Sequence, residues 1–121
     1  MSFSSDIKAY AKKTNQKAAS VANAVKLKLF TGIILDTRVD TGRLRGNWQT
    51  STGYPKYGVI DRDDKSGSAA VQEAISNVTT NGVDYMTNSL PYAEVWEEKD
   101  GMVAKNITRI ERNLKEAVAS A

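Results

Sequence analysis

The sequence predicts a single α+β domain over residues 1–121, with a small, mostly antiparallel sheet packed by long N- and C-terminal helices and one long loop. Three observations lead there. Apolar residues recur at steps of three and four at both ends of the chain, two short alternating segments lie between, and a stretch bearing proline and glycines separates those segments. Few strands and helices at both ends give a sheet covered on one face by helices.

Taken in order, the first helix is expected over about residues 5–30. Ile7, Ala11, Thr14, Ala18, Val21, Val25 and Leu29 make one stripe, Ser4 or Ser5 can cap it, and Asp6 suits the positive end of its dipole. Small residues before Val21 allow close approach of another helix or subunit. Asp36 to Gly42 reads as a polar turn. Asn47 to Gly53 reads as a strand with Trp48, Thr50 and Thr52 on one face and Gln49 and Ser51 on the other. Residues 54–68, YPKYGVIDRDDKSGS, read as a loop, functional or mobile by its length.

A short helix is expected over residues 68–78 with Ser68 as its cap, then a turn at Thr79–Gly82 and a half-buried strand from Val83 to Asn88. Tyr92, Val95 and Trp96 have the spacing of a further short helix. After the break at Asp100-Gly101, Val103, Ile107, Ile110, Leu114 and Val118 mark the last helix, about 101–119, with a surface pair from Glu111 to Lys115.

Composition narrows the chemistry. There is no cysteine, so neither disulfides nor thiolate metal sites are expected, in keeping with a reducing cytoplasm. There is no histidine, which removes the commonest general base and metal ligand. The opening MSFSSDIKAYAKK lacks a signal-peptide apolar run, and the longest such run, Ile33-Ile34-Leu35, is too short to cross a bilayer. A soluble protein with no membrane partner is expected. The net charge of +3 is uneven. Residues 1–47 hold nine basic side chains against three aspartates, a net +6, and the remainder holds eight basic against eleven acidic, a net −3. Such a split fits an anionic partner, or copies of the chain meeting positive surface to negative.

No catalytic, metal or cofactor-binding residue is expected, and the protein reads as a non-enzyme. No Ser–Lys signature stands out, Glu94, Glu97 and Glu98 fall within one helical turn as a solvated face would, and the phosphate-cradling loop pattern is absent. Asp61 and Asp63 resemble the start of a calcium loop, but Lys65 and Gln72 stand where oxygen ligands are needed.

The stretch RVDTGRLRGNWQTS, residues 38–51, asks most for an explanation. Asp40 and Thr41 can cap backbone N–H groups, and Gly42 gives the turn its freedom. Leu44 and Trp48 are four apart and can anchor the turn in the core. Arg43 and Arg45 share a face only in a strand. One helical turn before a strand from Asn47, capped by Thr41, makes them diverge, so they bond within the subunit or face a neighbour. The expected role is a structural hinge.

Val39-Asp40-Thr41-Gly42-Arg43-Leu44-Arg45 resembles the VDTGRLR signature of a family of small tail-completion and neck proteins of long-tailed bacteriophages, the minor tail protein Z type of lambda-like phages and its shorter relatives. Asn88-Ser-Leu-Pro91-Tyr92-Ala93 with Glu97 is similar to the family's N..PYA…E segment, Gly101-Met102-Val103 to the GMV opening its last helix, and Asp64-Lys-Ser-Gly67 before a short helix also fits. A family glycine soon after the Glu is delayed here to Gly101. The resemblance implies a non-enzymatic virion part, made in the host cytoplasm and placed in the tail or neck. It would act in tail completion and head–tail joining as an oligomeric ring, since such tails have sixfold or threefold symmetry, with a hexamer expected. Its partners would be itself and a tail terminator, tail tube or head–tail connector, with non-specific contact to double-stranded DNA.

Under this reading Arg43, Arg45, Tyr92, Glu94 and Glu97 are the candidate subunit interface. Tyr54, Tyr57, Asp61, Asp63 and Asp64 lie on a docking loop that orders on contact. The alternative is a small basic DNA-binding protein of the host cytoplasm, with Lys8, Lys12, Lys26, Arg43 and Arg45 on phosphates and Trp48, Tyr54 and Tyr57 stacked on bases.

Overall fold

Two helices, α1 (Phe3–Lys13) and α2 (Ala18–Asp36), stand where one was expected over 5–30. The break has a local cause in Asn15, whose φ of 56° is left-handed, a conformation asparagine tolerates. Around it Gln16 N–H donates to Ala11 O at 2.9 Å and Asn15 N–H to Lys12 O, the paired bonds that end a helix at a left-handed residue. The Thr14 hydroxyl donates back to Tyr10 O at 2.8 Å. Thr14 therefore closes α1 and does not continue a stripe. At the other end α2 runs through Ile33, Ile34 and Leu35 to Asp36, past the expected stop at residue 30.

The remaining elements are α3 (Arg43–Gly46), β1 (Gln49–Thr52), α4 (Ser68–Asn77), β2 (Asp84–Thr87), α5 (Ala93–Asp100) and α6 (Met102–Ser120). In this computed structural model, which describes residues 3–78 and 82–120, β1 and β2 form a two-stranded antiparallel sheet packed against the N- and C-terminal helices. Gln49 lies opposite Thr87 and Thr52 opposite Asp84. Residues 79–81 of the expected turn lie outside the described residues.

Strand β1 does not alternate between core and solvent as expected, since Gln49, Thr50 and Ser51 are all buried. Its free edge is the reason. Glu73 Oε1 accepts from Thr50 N–H at 3.1 Å and Asn77 Nδ2 donates to Thr50 O at 2.8 Å, so side chains of α4 satisfy an edge that a third strand would otherwise pair. The buried side chains turn outward to the loop: Gln49 Nε2 donates to Gly58 O and the Ser51 hydroxyl to Tyr54 O.

The main core joins Ile33 and Ile34 of α2, Trp48, Ala70 of α4 and Met102 of α6. A smaller cluster joins Leu44, Leu90 and Ala93, and Trp96 packs against both. Leu44 and Trp48 are thus both buried, as expected, but in different clusters. Helices α2 and α6 approach closely at Gly32, where a Cβ would lie 2.2 Å from Asn106 Oδ1. Asn106 is itself buried and donates to Met102 O and Asp36 Oδ2.

Among the described residues α2 is the one helix long and apolar enough to cross a bilayer by length and composition, a test that core helices of soluble proteins also pass. A search for unbroken apolar runs misses it, because Asn23, Lys26 and Lys28 interrupt the sequence. In the fold α2 packs against α1, α4 and α6, and Lys26 pairs with Asp84 at 2.8 Å.

Candidate functional site at the hinge

Residues 38–48 connect the end of α2 to the start of β1, and each side chain can be followed to its partners. Gly42 precedes α3 with φ 92°, and its carbonyl accepts from Gly46 N–H at 2.8 Å and Asp64 N–H at 2.9 Å. It therefore holds the capping position that was expected of Thr41. Thr41 sits one residue earlier, and its hydroxyl oxygen accepts from Arg43 N–H at 3.2 Å. Asp40 is exposed.

The two arginines diverge, as one helical turn requires. Arg45 turns inward and donates to Leu35 O at 2.8 Å, to Thr37 O at 2.9 Å and to Lys65 O. A guanidinium at the C-terminal end of α2 meets carbonyls left without helical partners and the negative end of the dipole. Arg45 is thus a clamp between α2, α3 and the loop. Arg43 points to the other side, 3.6 Å from the fully exposed Asp61. With Tyr92, Trp96 and Arg38 it lines a shallow cleft.

Arg38 and Asp100 were not singled out in the sequence. They lie 62 positions apart, and no periodicity or motif links them. Arg38 donates to both Asp100 oxygens, at 2.7 and 2.8 Å, while its guanidinium carbon lies 3.7 Å over the Trp96 ring. These hydrogen bonds from Arg38 hold the Asp100 carboxyl below its ordinary range, helped by the charges of Arg38, Lys105 and Lys99, and the same bonds raise Arg38. A carboxyl lowered by folding stabilises the fold above its ordinary value of about 4 and loses that contribution as pH falls below it. Asp100→Asn is therefore expected to lower stability at neutral pH and to remove part of its fall below about pH 4, read from fluorescence-monitored unfolding across that range. An unchanged acid limb would show that the pair does not form in solution.

The loop between β1 and α4 is anchored before any partner arrives, which corrects the expectation that it orders on contact. Arg62 donates to Gly46 O, to Trp48 O and to Glu73 Oε2. Ile60 N–H donates to Asn47 Oδ1 at 2.9 Å, and Gly58 N–H to the Ser89 hydroxyl. Asp64 is buried and accepts from Ala70 N–H at 2.9 Å, capping α4 from six residues away. It belongs to the frame of the loop. Tyr54, Tyr57, Asp61 and Asp63 remain exposed.

Glu97 of the candidate interface is likewise engaged within the chain. Its two oxygens accept from Val103 N–H at 2.8 Å and Ala104 N–H at 3.1 Å, satisfying the first turn of α6. The delayed glycine, Gly101, ends α5 at φ 62° and lets Glu97 reach across that turn. Of the five interface residues, Tyr92 and Glu94 are exposed, while Arg43, Arg45 and Glu97 are half-buried, the last two with their charged ends on backbone groups. The phosphate grip is also dispersed, because Arg45 is bound to carbonyls, Lys26 to Asp84 and Gly82 O, and Trp48 is in the core. Among the described residues no three acidic side chains converge as metal ligands would. No family model, no curated protein and no solved structure matches the chain.

Proposed function

We propose that the chain is a structural part of a bacteriophage neck or tail, working without catalysis in tail completion and head–tail joining as an oligomeric ring. The observation that supports this most is the use of the VDTGRLR stretch. Gly42 joins the turn to the loop, Leu44 enters the small core cluster, and Arg45 clamps the end of α2. Arg43 is left facing outward, as a hinge beside a subunit contact requires. The motif on which the resemblance rests thus has a mechanical explanation residue by residue, consistent with a family of assembly parts. Within such a virion the neighbours would be further copies and a tail terminator, tail tube or head–tail connector.

The test is electron microscopy of phage particles made without the protein. Unjoined heads and tails are the expected result, and normal joined virions would overturn the proposal. A duplex-binding titration separates the DNA-binding alternative: submicromolar affinity with a steep salt slope would favour it.

A further inference from the structure

The sequence divides charge at residue 47, but the fold divides it more deeply. Helix α6 lies against α1 and α2, so its basic residues join theirs. Residues 1–30 and 105–121 together carry ten basic side chains against Asp6, Glu111 and Glu116, a net +7. Residues 31–104 carry seven basic against eleven acidic, a net −4.

Within the basic part, α1, α2 and α6 leave a groove of about 290 Å³, floored by Val21, Ala24, Val25, Ile110 and Leu114 and bordered by Lys28. Helix α2 has apolar residues on every side, and the neighbouring helices leave this part of it open. Within the acidic part, α5 turns Ala93, Trp96 and Glu97 inward. Its outer arc carries Val95, 46% exposed, with Tyr92 on one side and Glu94 and Glu98 on the other. Groove and arc lie at different stations along α6, roughly 15–20 Å apart at 1.5 Å per residue.

Building on the ring reading, we infer that the outer face of α5 docks into the α1–α2–α6 groove of a second copy. Val95 enters the apolar floor, and Glu94 and Glu98 meet the basic border at Lys28. Charge complementarity favours another copy as the occupant, since Lys28 borders the apolar groove within segments of net +7, while the outer arc of α5 carries Glu94 and Glu98 beside Val95 within a segment of net −4. One eight-residue helix covers well under the roughly 800 Å² per partner of a stable interface. A single contact is therefore weak, and closure into a ring strengthens it by multiplicity.

The experiment is sedimentation of the full chain at low salt, comparing wild type with Val95→Asp and with Ala24→Glu, both at exposed positions. Wild type is expected to associate, less so as salt rises, and each variant to weaken association about tenfold with an unchanged melting curve. An equal mixture of the two variants should form heterodimers, because each retains one intact surface. Wild type that associates while neither variant weakens it would overturn this pairing and leave the ring standing. A strictly monomeric wild type would overturn the pairing as well, with the ring itself judged by virion microscopy. Binding to anionic vesicles lost in Ala24→Glu, with self-association intact, would give the groove to lipid and overturn the inference.

Discussion

Gly42→Ala is expected to cost about 4 kcal/mol. Two penalties combine. A Cβ residue at φ 92° is strained by roughly 1–2 kcal/mol, and the new carbon would lie 2.6 Å from Lys65 N and 2.8 Å from Asp64 N. Those are backbone atoms, so the loop itself must move, at about 1–3 kcal/mol. Gly53 is the control. It has φ 90° with nothing within 4 Å, so Gly53→Ala should cost only the strain, about 1–2 kcal/mol. Thermal melts of the two variants check this, with a fall of roughly 15 °C expected for Gly42→Ala. Equal melting points would mean that the close approach of turn and loop is absent in solution.

Trp48→Ala should cost about 4 kcal/mol by removing the largest side chain of the main core. Trp48 is 6% exposed, packs with Ile33, Ile34, Ala70 and Met102, and donates from Nε1 to the Thr37 hydroxyl at 2.8 Å. Trp48→Phe should be milder, about 1–2 kcal/mol, because the Thr37 hydroxyl still donates to Ile33 O and no buried donor is left unpaired. Denaturant midpoints at constant slope measure both. A loss under about 1.5 kcal/mol for Trp48→Ala would remove Trp48 from the core. The phenylalanine variant also leaves Trp96 as the sole tryptophan, a direct reporter of the Arg38–Asp100 pair.

Periodicity made the α+β class, both strands, α4 and α6 legible, because each rests on local patterning that the packing reinforces. The single long N-terminal helix failed at Thr14-Asn15. A threonine satisfies an apolar stripe by spacing, yet its hydroxyl bonds the helix's own backbone and its asparagine neighbour turns the chain. The fate of Arg43 and Arg45 was legible as a divergence, from geometry alone, but not their partners. Leu35 and Thr37 carbonyls, Asp61 and Lys65 lie in segments that only the tertiary fold brings near. The backbone partners of Asp64 and Glu97 were hidden for the same reason. An acidic residue in a loop or at a helix end carries no mark of whether its oxygens face water or a buried N–H. The buried, polar β1 was illegible in its burial because the groups satisfying its edge come from α4.

The three-helix arrangement also sets a schedule for the nascent chain. Helix α2 ends at Asp36, yet the helix that covers much of its apolar surface ends at Ser120, 84 residues later. At typical synthesis rates that interval is about 4–17 s, far longer than a helix needs to form. Throughout it the side of α2 that α6 covers stays open, although α1 and then α4 are already present to pack on its other sides. Quality control of this protein therefore falls within that interval, when a chain stalled or cut short of α6 would present α2 to chaperones and proteases.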